Sequence, residues 1–127
     1  MNGEEAKTYL LNRPEAWLDF PFGGDVYVFK VKEKMFATLS WQEELARINL
    51  KCDPEQAQIL REVFTAVLPG YHMNKTHWNT VLLDGSIPDG EVERMIDHSY
   101  GLVVRKLPKK QRLSLEVKYS KPVVYAA

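Results

Sequence analysis

Apolar and polar positions alternate with period two over three consecutive stretches of the first half of the chain. In VYVFKVK (residues 26–32), Tyr27, Phe29 and Val31 share one face, and Lys30 and Lys32 share the other. Glu33 and Lys34 then read as a turn into MFATLSW (35–41), where Met35, Ala37, Leu39 and Trp41 oppose Phe36, Thr38 and Ser40. After a polar turn at 42–44, ARINLKC (46–52) sets Ile48, Leu50 and Cys52 against Arg47, Asn49 and Lys51. Such alternation, broken by short turns, predicts an antiparallel meander with one dry face. A fourth strand is predicted in WNTVLLDG (78–85), which is apolar on both faces and therefore well covered.

Helical periodicity flanks this meander. Residues 4–11 predict a short helix whose Glu4 and Glu5 suit the positive end of its dipole. It must stop before Pro14, because the residue preceding a proline disfavours the helical region. Asp53-Pro54-Glu55-Gln56 is a second helix start, with a capping oxygen, a proline in the first turn, and a glutamine placed to complete a capping box. Leu60, Val63, Phe64, Val67 and Leu68 continue it as one apolar stripe up to Pro69-Gly70. Pro88 and Asp89 lead into the longest helix. There Val92, Met95, Ile96, Tyr100, Val103, Val104 and Leu107 recur at spacings of three and four, and Pro108 ends it. The segment beyond residue 112 reads as either an edge strand or a loose tail. The fold class is α+β: an antiparallel sheet of about four strands with a short N-terminal helix and two amphipathic helices.

Composition sharpens this picture in three ways. A chain of 127 residues, 45% apolar, suits one domain with a packed core. No apolar run approaches the length of a membrane span and the start MNGEEAKTYL lacks an apolar leader, so a cytoplasmic location is expected. The single cysteine, Cys52, fits a reducing compartment. Net charge is zero, which opposes strong sequence-blind binding of polyanions. The charge is nevertheless uneven: residues 105–127 hold seven of the 17 Lys and Arg but one of the 17 Asp and Glu. That asymmetry reads first as a solvated helix end and tail.

Several blocks occur together and in order: KMFA at 34–37, NLKCDPE at 49–55, YHMNKTHWNTV at 71–81, LDGSIP at 83–88, and Ser99-Tyr100 within the last helix. This combination resembles the MmcQ/YjbR family, over roughly residues 26–112. The resemblance implies a frataxin-like α+β arrangement known as a double wing. It also implies an assignment to DNA binding, which rests on similarity of fold. Residues 1–112 are accordingly expected to form the family domain, and 113–127 an extension.

Four candidate sites follow. The outward face of the meander carries Lys30, Lys32, Arg47 and Lys51 with no intervening acid, and Lys34 stands at a hairpin tip as a wing would. This face is the expected docking surface for DNA, with Thr38, Ser40 and Asn49 adding hydrogen bonds. Binding should be weak and salt-sensitive, with three or four phosphate contacts giving a log–log salt slope of about −3 on duplex. The loop at 72–78 offers His72, Asn74, Lys75 and His77 for a phosphate or a base, Asn74 being suited to a left-handed turn and Trp78 to the core. The same loop could instead serve a protein partner or a small ligand. A metal site is not expected: His72 and His77 are five apart, and Cys52 stands alone. Neither is catalysis or a cofactor, since Cys52 falls on the apolar parity and Asp84 and Asp89 read as caps. The expected function is that of a non-catalytic nucleic-acid-binding domain.

Overall fold

The computed structural model describes residues 1–126. Helix α1 (Gly3–Leu11) leads into strands β1 (Ala16–Asp19), β2 (Tyr27–Val31), β3 (Lys34–Gln42) and β4 (Leu45–Lys51). Helix α2 (Pro54–Val63) crosses to strand β5 (Val67–Pro69), which is followed by β6 (Trp78–Leu82) and helices α3 (Asp89–Arg105), α4 (Lys109–Tyr119) and α5 (Lys121–Tyr125). All strand pairs are antiparallel, in the order β1-β2-β3-β4-β6-β5. Helices α1 and α3 pack on one face, where Phe29, Leu39, Ile48, Val81, Ile96 and Tyr100 form the core, with α5 against the back of α3. No helix among the described residues is long and apolar enough to cross a membrane.

The α+β class and the dry-faced meander are as expected, but the sheet has six strands rather than about four. Strands β1 and β5, with four and three residues, are too short to display a period of two. The apolar stripe predicted to run to Leu68 in α2 breaks at Phe64, which takes an extended conformation. Val67 then pairs with Val81 as part of β5. The β2–β3 turn falls one residue early, at Lys32 and Glu33, because Val31 pairs with Lys34 and Lys32 adopts a left-handed φ of 54°.

The segment expected to be an edge strand or loose tail is helical. Its LSLEV stretch alternates like a strand, yet Leu115 is buried while Leu113 and Val117 are exposed. Glu116 fixes the two last helices together by accepting from Arg112 at 3.3 Å and from the Tyr125 hydroxyl.

Strand β3 contains a break in parity that explains one of the sequence blocks. Phe29 pairs with Ala37 and Lys30 with Met35, so Phe36 is an extra, bulged residue. Phe36 and Ala37 are therefore both fully buried, and Phe36 meets Tyr100 edge-on at 5.3 Å. Beyond the last β3–β4 pair, Ala37 with Leu50, the Ser99 hydroxyl bridges the two strands. It accepts from the Lys51 amide at 2.8 Å and donates to the Phe36 carbonyl at 2.6 Å. The Tyr100 hydroxyl donates to the Pro14 carbonyl at 2.8 Å, tying α3 to the chain after α1. Ser99 and Tyr100 thus fasten α3 to the sheet.

Asp53 caps α2 as expected, accepting from the amides of Glu55 and Gln56. The full capping box belongs instead to α1, between Asn2 and Glu5. Replacement of Asp53 by Ala should cost about 1 kcal/mol. Urea denaturation reads this directly, and an unchanged midpoint would contradict the assigned cap.

Candidate functional site

The face of the sheet turned away from α1 and α3 carries Val28, Thr38, Asn49 and Thr80 as one row across β2, β3, β4 and β6. Ser40 and Arg47 are paired in the next row. Two loops border this surface, at 20–26 and 70–77. Between them lies a concavity of about 500 Å³, lined by Phe22 and Val26 from one loop, Tyr71, His72 and Met73 from the other, and Thr38, Ser40, Arg47 and Asn49 from the sheet. The structure therefore joins two candidate sites that the sequence presents separately.

The second loop is held rigidly at its base. The Gly70 amide donates to the Trp78 carbonyl at 2.9 Å, and a Cβ on Gly70 would lie 2.8 Å from that of Trp78, so only glycine fits. Thr80 Oγ1 accepts from the Tyr71 amide at 2.8 Å and donates to Asn49 Oδ1, while Asn49 Nδ2 donates to the Tyr71 carbonyl at 3.5 Å. This triangle fixes Tyr71, whose side is 56% exposed to solvent at the rim of the concavity. The Arg47 guanidinium lies 5.6 Å from the Tyr71 ring centre, within cation–π range. Arg47 Nη2 donates to Gln42, but its Nε is buried without a partner among the described residues. His72 stacks obliquely on Tyr71 at 4.0 Å and holds a left-handed φ of 59°. For a residue other than glycine this costs about 1 kcal/mol or more and is sustained by the surrounding contacts.

The remaining loop candidates serve the loop itself. The left-handed residue is His72, not Asn74. Asn74 instead accepts from the Thr76 and His77 amides in a side-chain turn. Lys75 Nζ donates to the Gly70 carbonyl at 3.0 Å, and His77 stays exposed outside the concavity. Arg61 of α2 locks the outer side, reaching Asn79 Oδ1 at 2.7 Å and the carbonyls of Lys75 and Trp78.

The uninterrupted basic face does not form. The acids come from β1 and the residue before it, an element too short to be read from the sequence. Asp19 pairs with Lys30 at 2.8 Å, and Glu15 pairs with Lys32 at 3.0 Å. The Lys30 ammonium and the Phe20 amide hold the Asp19 carboxyl below its usual range, and Lys32 does the same for Glu15. Lys51, at the end of β4, lines a different groove on the helix side. Burial lowers its basicity first, and Lys106 and Lys34 nearby add to the effect. Of the nine charged or polar candidates, the concavity gathers Arg47 and His72. Tyr71, Phe22 and Arg61 were missed. Phe22 had a readable signal, since an aromatic between Pro21 and Gly23-Gly24 has no helix or strand to carry it into the core.

Cys52 is 4% exposed, and burial, aided by the Asp53 carboxylate, pushes its thiol up to about 11. Its nucleophilic thiolate forms only as pH rises toward that value. Modification by a thiol reagent at about pH 8 should be far slower than for a free cysteine with a pKa of about 8.5. Equal rates would contradict the burial. Among the described residues no three His, Cys, Asp or Glu side chains converge as metal ligands.

The model of the YjbR family matches residues 11–102, which include the bulge, the Ser99-Tyr100 fastener and the loop that carries Tyr71. The chain belongs to the YjbR family. This YjbR-family domain is 41% identical over 83 residues to the uncharacterized protein YjbR of Escherichia coli K12, covering 65% of the chain and 70% of that protein. It is 36% identical over 109 residues to the uncharacterized protein YbdF of Escherichia coli O157:H7, covering 86% and 89% respectively. The crystal structure of Deinococcus radiodurans protein DR2400 superposes with a TM-score of 0.82 at 35% identity, over 90% of this chain and 87% of that one. A crystal structure of a Pseudomonas syringae protein gives a TM-score of 0.71 at 30% identity, over 80% and 98%.

Proposed function

We propose that this YjbR-family domain is a non-catalytic nucleic-acid-binding module that takes unpaired bases of a single strand into the concavity on the outer face of its sheet. The observation that carries this reading is the placement of Arg47 over Tyr71, with Asn49, Ser40 and His72 around the same hollow. Phe22 and the solvent-exposed part of Tyr71 offer aromatic surface, and stacking of a base on an aromatic contributes about 1–3 kcal/mol without needing a strong positive field. The polar groups of Ser40 and Asn49, which line the hollow, can meet a base edge. A duplex has no such access, because its bases are already stacked and its phosphates would meet lysines already paired with acids.

Fluorescence anisotropy with a labelled short oligothymidylate tests this reading. Tyr71→Ala should weaken binding about tenfold, while Lys32→Ala should leave it nearly unchanged. Competition by a free mononucleotide at comparable affinity would place the ligand among small molecules rather than strands. Absence of binding to any single strand at about 50 mM salt, with a co-purifying protein instead, would replace the reading by that of a protein-interaction module.

A further inference from the structure

A second concavity, of about 400 Å³, lies on the helix side between α2 and α3, over the ends of β4 and β6. Helix α2 rests mainly on β5, whereas α3 lies across β2, β3 and β4, so the two helices leave a slot between them. Its apolar lining comes from Leu50, Leu60, Val81, Met95 and Leu102, with Gln56 and Asn79 among the polar groups beside them. Its volume falls at the small end of the range for ligand sites.

Lys51 and Arg94 match Asp53 and Glu91 in number around the slot, but the four are not equally engaged. Asp53 is occupied with the amides that begin α2, and Glu91 is paired with Arg94 at 3.1 Å. Lys51 also lines the slot, with Lys34 and Lys106 near it, and none of the three is paired with a carboxylate among the described residues. His98 also lines the slot, and its Nε2 accepts from the Asp53 amide at 3.3 Å. That bond leaves the neutral ring's proton on Nδ1, and burial favours the neutral form. The slot thus combines an apolar interior, an unpaired and partly desolvated ammonium, and acids that are already engaged. A bound anion would relieve the mutual repulsion of the three lysines.

We propose that this slot is a separate binding site for a small monocarboxylate with an aromatic or branched apolar body, its carboxylate at Lys51 and its body against Leu50 and Met95. The proposal does not depend on the outer face of the sheet or on any nucleic acid.

Amide NMR titration of the full chain with benzoate, and with benzamide as the neutral isostere, tests it. Benzoate should saturate shifts at Lys51, Cys52, His98 and Leu102 at about millimolar concentration, as its size allows. Benzamide should bind at least about tenfold more weakly, the equivalent of one charge-assisted contact. Lys51→Met should reduce benzoate to the level of benzamide, while Lys32→Met should leave it unchanged. The wild-type comparison stands by itself if Lys51→Met fails to fold. Equal binding of the two probes, shifts confined to Thr38 and Tyr71, or no saturable shift with either benzoate or isovalerate would overturn the proposal.

Discussion

Replacing Tyr100 with alanine is expected to lower the unfolding free energy by about 3–5 kcal/mol, the largest effect of any single change considered. The ring is 1% exposed and packs edge-on against Phe36, the residue that the β3 bulge turns inward. Its removal leaves a cavity where α3, the bulge and the chain after α1 meet, and these elements cannot collapse independently. It also leaves the Pro14 carbonyl without its donor. Tyr100→Phe separates the two contributions, since it keeps the ring and should cost about 1–3 kcal/mol for the unsatisfied carbonyl alone. Domains of this size are stable by about 5–15 kcal/mol, so the alanine variant should show a large drop in its urea midpoint or fail to fold. A loss below about 1 kcal/mol would mean that the Phe36–Tyr100 contact is not part of the core.

The second large effect is expected at Gly70, for the opposite physical reason. Alanine there would place its Cβ 2.8 Å from Trp78 Cβ and 2.9 Å from the Trp78 carbonyl oxygen. The clash is with backbone and with the root of a side chain, so no rotamer change relieves it. Gly70→Ala should cost about 1–3 kcal/mol as the ends of β5 and β6 part. Because Tyr71 follows directly and is held by Thr80 and Asn49, the same change should displace the rim of the concavity. Amide shifts should therefore spread from Trp78 to Asn49 and Arg47. Shifts confined to 69–71 with unchanged stability would show that the loop base tolerates a side chain.

Much of the frame was legible because alternation over seven residues survives wherever one face is dry. Tyr27, Phe29, Leu39, Ile48 and Leu50 all fall on the core side that the pattern assigned. The failures share a cause. In β1, β5 and the bulge at Phe36, the deciding contact is made with a residue distant in sequence. Phe36 faces inward because Tyr100 and Ser99 receive it, and local parity cannot show that. The LSLEV stretch misled in the reverse direction, having strand-like alternation inside a helix. The site was read less well than the frame. Lys30 and Lys32 do flank the sheet, but the carboxylates that neutralise them lie 11 and 17 residues earlier, on a strand too short to announce itself and on the residue just before it. Arg47 was legible from parity. Its contact with Tyr71 was not, because Tyr71 is held over β4 by Thr80, which the β4–β6 register sets opposite Asn49.

The central claim is that unpaired bases, not duplex phosphates, are what the outer face receives. The most direct measurement is a salt titration of affinity for a single strand and for the duplex of the same sequence. With Arg47 as the cation of the concavity, and Lys30 and Lys32 paired with acids, the single strand should bind more tightly than the duplex. Its log affinity should fall with log salt at a slope of about −1 or shallower, given about −0.7 per phosphate contact. Duplex binding as tight as that of the single strand, with a slope of about −3, would contradict the account and restore a basic docking face.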